Sequence, residues 1–425
     1  MTVAVCADVG STYTKVAVVD LDAGALVATA AHPTTIGTDV LRGLDAAIAA
    51  AGAADADEVH VCSSAGGGLR LAVIGYEQRV TAEAGRRVGL TAGARVVHVA
   101  AGRLDRAGLT ALRQANPDVI LLAGGTDGGD EDVLRHNAAR LAGARTRVPV
   151  VLAGNAEARD AVAAHLGEHG VPVVVTDNVL PRIGELNPQP ARAAIREVFL
   201  RHVIGGKGLS RGPRFASLVR GATPDVVLTA VELLADELGG DLLVVDVGGA
   251  TTDVYSVLRP DGATSADVAG TLWRGRTVEG DLGVRWSATG VLDAAVAERL
   301  PHDAALASSA AQRAADPSLL SADHSVDLRL ATIAATVAAR RHGRDRDLRR
   351  VRLVVGSGGV LRHAEPAAAA AVLDAILADH AGGWRVPTAA RVLVDHEYVL
   401  AAAGLLAGPH PAAARRLVRA GLLGH

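Results

Sequence analysis

The sequence predicts an α/β protein of two lobes, with a further α/β unit inserted into the first. Three observations lead there. Asp246-Val247-Gly248-Gly249-Ala250-Thr251-Thr252-Asp253 follows the apolar run 242–245, so a buried strand runs into a carboxylate, two glycines and two hydroxyls. Near the N-terminus, Asp8-Val9-Gly10-Ser11-Thr12-Tyr13-Thr14-Lys15 repeats that plan between the apolar runs 4–7 and 16–19. Between the two motifs, residues 91–178 alternate short apolar runs with helical stretches, which is the rhythm of a small α/β unit. The expected division is 1–90 with 179–240 as the first lobe, 91–178 as the insertion and 241–425 as the second lobe.

Each turn admits two readings by itself. A tight β-hairpin uses glycine for its geometry. A phosphate-binding turn uses glycine to let the backbone approach an anion, with backbone N–H groups and Thr251 and Thr252 as donors. The repeat favours the second reading, with Asp8 and Asp246 at strand ends where a carboxylate holds a hydrated Mg²⁺ or orients a water.

Composition sets outer bounds. A chain of 425 residues has room for two or three domains and a large core. Hydrophobic residues make up 49% and aromatics only 2%, so the core must be built from Ala, Val and Leu. The net charge of −3 argues against a nucleic-acid binder or a basic membrane-surface protein. Apolar runs such as 367–373 are too short to cross a bilayer, and the N-terminus reads as a strand, not a secretory signal. Two cysteines, Cys6 and Cys62, make neither a disulfide framework nor an iron–sulfur site, so a reducing cytoplasm is the expected setting. Lys15 and Lys207 are the only lysines. Lys15 follows the first turn, where an ammonium reaches a phosphate or simply faces solvent.

In chain order, strands are expected over 3–7, 15–20 and 25–30, then a helix over 38–51 with Thr38 as N-cap. A strand over 59–62 runs into the glycine-rich segment 63–70, read as a mobile loop or a set of ligand amides. The insertion is expected to hold strands over 94–99, 119–122, 148–152 and 171–175. Its acidic loop 123–130 is either a metal or partner contact or a turn feeding a helix. A proline-punctuated linker over 178–188 leads to helices over 191–202 and 224–238. Gly205-Gly206-Lys207-Gly208 lacks the spacing of a Walker A loop. In the second lobe, 276–286 is expected as a polar loop and 353–355 as a strand before the glycine pair Gly358-Gly359. Helices over 366–378 and 397–407 flank a strand over 391–394, with Gly404 allowing close helix approach.

Two Asp-led hairpins far apart, followed by a glycine pair, resemble the layout of the actin, DnaK-type chaperone and sugar-kinase (ASKHA) ATPase superfamily. Six blocks narrow the match: 8–15, 62–69, 122–129, 190–197, 246–253 and 276–283. Together they are similar to the MutL/GlmL family of glutamate (methylaspartate) mutase accessory proteins. The resemblance implies ATP and Mg²⁺ as cofactors, adenosylcobalamin-dependent mutase subunits as partners, and ATP-driven remodelling as the activity. It leaves room for a homodimer and implies no nucleic acid or membrane partner. Carried over by position, Asp8 and Asp246 become metal-site aspartates, and Thr251 a hydroxyl donor to the γ-phosphate. Gly10, Ser11, Thr12, Tyr13, Lys15, Gly248, Gly249 and Thr252 contact phosphates, and Gly358 and Gly359 contact adenosine. The catalytic set is Asp8, Asp246 and Thr251. The lysine and glutamate that also act in DnaK-type proteins have no assigned match, so the water-activating group is open. The alternative is a sugar or carboxylate kinase of the same superfamily with Glu279 or Asp281 as base. A polymerising actin-like scaffold is a third reading.

Overall fold

The structure is a computed structural model that describes residues 2–206, 208–259, 268–269, 273–319, 324–344 and 346–424. Lys207, singled out above, lies outside them. The chain opens with β1 (Val3–Val9), β2 (Tyr13–Asp20), β3 (Ala25–Pro33) and β4 (Glu58–Ser63). It crosses to β5 (Leu69–Gly75), β6 (Ala94–Ala101), β7 (Val119–Leu122), β8 (Val150–Leu152) and β9 (Val173–Val175), then returns with β10 (Val219–Ala222). The last five are β11 (Leu242–Val247), β12 (Thr252–Val257), β13 (Arg274–Glu279), β14 (Leu353–Ser357) and β15 (Arg391–Val394).

These strands form three sheets. The first has the order β10-β4-β1-β2-β3 and the second β15-β14-β11-β12-β13. In each, two antiparallel neighbours lie on one side of the central strand and two parallel neighbours on the other. The two lobes are thus the same topology built twice, the two-lobed α/β arrangement expected from sequence. The third sheet, β6-β5-β7-β8-β9, is wholly parallel and sits in the chain between β4 and β10.

Strand alternation sends side chains of one strand to two cores. Val5, Ala7 and Val9 of β1 pack outward, in a core that includes the Val40–Ala50 helix. Ala4 and Cys6 face inward, in a core shared with Leu242, Val244, Tyr255, Leu353 and Val355 of the second lobe. Two helices, Thr223–Leu238 and Val399–Leu406, fill the space between the lobes. Gly404 is required there, because a Cβ would fall on the Val226 carbonyl. The 223–238 helix starts with Pro224 in its first turn and ends at Gly239 with φ 66°, the Pro-first, Gly-last pattern of a helix whose ends are set by sequence.

Several expectations are corrected. The third sheet starts before residue 91: its strand β5 and the Thr81–Thr91 helix follow directly from the glycine segment. Gly66, Gly67 and Gly68 have φ of 69°, 85° and 67° and form the crossing between sheets. Such glycines read as a loop, and they hid the strand behind them. Asp39, not Thr38, caps the first helix, accepting from the Leu41 N–H at 2.9 Å. Residues 276–279, expected in a loop, belong to β13, which pairs with β12 along its length. The acidic loop is held from within: the buried amide of Asn178 donates to the Gly125 carbonyl and Asp127, and Asp127 also accepts from Ala156 N–H. No helix among the described residues is long and apolar enough to cross a membrane.

Candidate functional site

The two Asp-led turns occupy equivalent places, linking β1 to β2 and β11 to β12. Their backbones close alike. Gly10 N–H donates to Tyr13 O at 3.1 Å, and Gly248 N–H donates to Thr251 O at 2.9 Å. A Cβ at Gly10 would lie 2.9 Å from Tyr13 O, and one at Gly248 2.8 Å from Thr251 O. Each glycine is therefore fixed by closure of its turn. Ser11, Thr12 and Tyr13 project as the exposed tip of the first turn, while Gly249 and Thr251 are half-buried in the second.

Asp8 is 7% exposed and fully engaged. The Thr223 hydroxyl donates to its Oδ1 at 2.6 Å, and Lys15 Nζ lies 3.1 Å from Oδ2. Lys15 stands opposite Asp8 in the β1–β2 register. Burial works against the Lys15 charge, but Asp8, Tyr398 and Asp246 outweigh it and raise its proton affinity. Cys62, beside Asp8 on β4, keeps its thiol proton because burial, and then Asp8, oppose a thiolate.

Asp246 has no such counter-ion on its hairpin. Asp253 stands opposite it in the β11–β12 register, where Lys15 stands in the first lobe. Burial, then the Asp253 charge, push the Asp246 carboxyl up to about 7; Asp8 and Asp395 add to this and Lys15 opposes it. Asp253 itself is held by Arg276, whose Nε donates to its Oδ1 at 2.7 Å, and it accepts from the Thr251 hydroxyl at 3.0 Å. Gly358, with φ 102°, follows β14 and is wedged against this turn: a Cβ would fall on the Val247 carbonyl and lie 3.0 Å from Asp246 Oδ1. Gly359 is exposed and opens a short helix, Gly359–Arg362.

Both lobes meet around Tyr398. Lys15 Nζ lies 5.1 Å from its ring centroid and the Arg362 guanidinium 3.6 Å. Tyr398 has φ 56°, a costly backbone for a non-glycine residue, just before the 399–406 helix. Asp395 caps that helix, accepting from Val399 and Leu400 N–H. Tyr398, Arg362, Asp395 and Thr223 were not visible as site residues in the sequence. They sit far from either motif in the chain, and only a lone Asp after β15 could have marked one of them.

Thr252 departs from expectation. Its hydroxyl is fully buried and donates to Leu282 O at 2.6 Å, so it fastens a loop onto the hairpin and does not face a ligand. That loop also donates Val284, Arg285 and Trp286 N–H groups to the Gly248 and Gly249 carbonyls. Glu279 and Asp281, the carboxylates a kinase would need as base, are both paired with Arg341 at 2.7 and 2.8 Å.

Asp246 is the carboxylate here that a hard divalent cation would suit: burial and the charges of Asp253, Asp8 and Asp395 raise its proton affinity, while those three are already held by Arg276, by Lys15 and Thr223, and by backbone N–H groups. The exposed turn tips, with Lys15 beside them, suit a polyphosphate.

Comparison with known proteins places the chain. A family model described as MutL protein matches residues 4–422. Protein MutL of Clostridium tetanomorphum is 35% identical over 455 residues, covering 97% of each chain. Among solved structures, acetone carboxylase in a nucleotide-free form is similar with a TM-score of 0.40 at 16% identity, over 95% of this chain and 70% of that one. The (R)-2-hydroxyglutaryl-CoA dehydratase component A of Acidaminococcus fermentans is similar with a TM-score of 0.31 at 10% identity, over 98% of this chain and 97% of that one.

Proposed function

As this chain belongs to the MutL protein family, we propose that it is an ATP-hydrolysing accessory factor that remodels and reactivates an adenosylcobalamin-dependent mutase in the reducing cytoplasm. One observation carries the reading. Two hairpins of the same build, from two sheets of the same order, bring Asp8 and Lys15 of one lobe and Asp246 of the other within reach of one another's charge.

In this reading the chain's residues act by position and charge. Asp8, held by Thr223 and Lys15, and Asp246, held against Gly358, would bind Mg²⁺, which when present neutralises phosphate charge as phosphoryl transfer proceeds. Lys15 and the first turn's amides and hydroxyls hold phosphate oxygens. Thr251 donates from the second turn, Gly358 lets β14 close against that turn, and the exposed Gly359 leaves room for the nucleoside. Asp246, with its raised proton affinity, is suited to orient or deprotonate an attacking water. Each lobe grips one side of the nucleotide, so loss of the terminal phosphate changes what holds them together. The third sheet serves as the arm that carries this movement to the mutase.

Calorimetry with ATP and Mg²⁺, paired with phosphate release, tests the nucleotide half. Restoration of an inactivated mutase tests the partner half. Charge reversal at the exposed Arg103 and Arg106 of the third-sheet unit should spare hydrolysis and lower restoration; deleting the sheet would instead open the core that Leu71, Val73, Leu121 and Val151 share with β1. A chain that binds no adenine nucleotide would sink the whole reading. Hydrolysis that rises many-fold with a small sugar or carboxylate, and with no protein present, would favour a kinase instead.

A further inference from the structure

We infer that the turn from Leu90 to Ala94, between the 81–91 helix and β6, is where both lobes of the site act on the third sheet, with Arg276 as the positioning residue. This rests on the nucleotide reading above and adds the route by which the arm is moved.

The turn is clamped from two sides. From the second lobe, Arg276 is 4% exposed and divides its donors. Its Nε reaches Asp253, the residue opposite Asp246, while Nη1 donates to Leu90 O at 3.2 Å and Ala94 O at 3.4 Å. One planar guanidinium therefore joins the hairpin carboxylate to the turn that enters β6, the edge strand of the third sheet, over the Tyr255 ring at 6.0 Å. From the first lobe, the turn's Gly93 has φ 78°, and a Cβ there would lie 2.8 Å from Asp225 N. Asp225 begins the 223–238 helix two residues after Thr223, whose hydroxyl holds Asp8. Asp225 is in turn buried between Arg192 and Arg196 of the Pro188–Val198 helix, which follows the third sheet in the chain.

Each site aspartate is thus connected to the same five-residue turn. The Asp8 route passes through Thr223 and the head of a helix. The Asp246 route passes through Asp253 and Arg276. A change in lobe separation must alter one set of contacts to Leu90–Ala94 relative to the other, because the turn cannot follow both lobes. Arg276 touches no reacting group and acts through Asp253.

Hydrogen exchange on the full chain, with and without ATP·Mg²⁺, tests this. Amides of residues 88–96 should change protection by about tenfold on nucleotide addition in the wild type, as expected for a local opening equilibrium that a ligand biases. Arg276→Lys keeps a cation for Asp253 but lacks the fork that reaches the two carbonyls. It should bind nucleotide within about threefold of wild type and lose the response at 88–96. Gly93→Ala, which presses on Asp225 from the first-lobe side, should also blunt the response and serves if Arg276→Lys folds poorly. Nucleotide binding with no change at 88–96, or a wild-type response in both variants, would overturn the inference alone. Absence of nucleotide binding by calorimetry would overturn the proposed function and this route with it.

Discussion

The two hairpins share a backbone and differ in charge. Asp8 faces Lys15 across its hairpin, and Asp246 faces Asp253. Position by position the turns align: Gly10 with Gly248, Tyr13 with Thr251, Thr14 with Thr252. The first aspartate is held by an ammonium and a hydroxyl. The second is kept near its titration point by burial and three further carboxylates. One fold element used twice therefore carries two aspartates in different surroundings, and in the proposed reading the first holds the ligand while the second does the chemistry.

The strongest way to break that contrast is to remove each carboxylate in turn. Asp246→Asn should lower ATP turnover by about two orders of magnitude or more, while nucleotide affinity falls much less. Asp8→Asn should weaken Mg²⁺-dependent nucleotide binding first, because Asp8 is the pinned ligand, and lower turnover as a consequence. Steady-state phosphate release with calorimetry separates the two. If both variants show the same split between binding and turnover, the division of labour is wrong even though both aspartates matter.

The pH dependence of the nucleotide-free, metal-free protein sharpens it. Asp246 holds its proton more tightly in the fold than in the unfolded chain. Its contribution to stability is therefore fully present below about pH 4 and is lost as pH rises through about 7. The melting temperature should fall over that window. Asp246→Asn should flatten the fall and melt a few degrees higher than wild type at pH 8. Mg²⁺ should restore wild-type stability at pH 8 and do little for the variant. A variant that melts lower than wild type at pH 8 would show that the crowding of carboxylates is not felt in solution.

The shared backbone makes the opposite forecast: equal effects. Gly10→Ala and Gly248→Ala each place a methyl against a carbonyl of the same turn, so each should cost about 1–3 kcal/mol in denaturant unfolding. A difference larger than about 1 kcal/mol between them would mean the turns are less alike than their hydrogen bonds indicate.

What the sequence disclosed follows from how local each signal is. An Asp-Val-Gly turn after an apolar run is complete within eight residues, so both hairpins, their aspartates and the glycine pair could be read directly. Lys15 and Asp253 lie in the same short stretches, but their places opposite the aspartates come from the strand register. Thr223, Tyr398 and Arg362 reach the site by tertiary packing across hundreds of residues, and nothing in their own neighbourhoods marks them. Strand β5 was hidden because three glycines precede it. Strand β13 was hidden because Arg274, Arg276 and Glu279 read as a polar loop, although Arg276 is buried by its ion pair with Asp253.

The hydroxyls give the smallest effect and the finest comparison. Thr14 and Thr252 are equivalent, both fully buried, and both bonded inside the protein, to the Thr34 hydroxyl at 3.0 Å and Leu282 O at 2.6 Å. Thr14→Val and Thr252→Val should each cost about 1 kcal/mol of stability, the usual net worth of one such bond, and leave nucleotide affinity within about twofold. Thr251→Val differs: the half-buried Thr251 hydroxyl, 3.0 Å from Asp253, is a phosphate donor in the proposed reading, so its loss should lower turnover by about tenfold. If Thr252→Val lowers turnover as much as Thr251→Val while unfolding at the wild-type midpoint, then its hydroxyl leaves Leu282 when nucleotide binds, and the second turn rearranges in a way the first, tied by Thr14 to β3, does not.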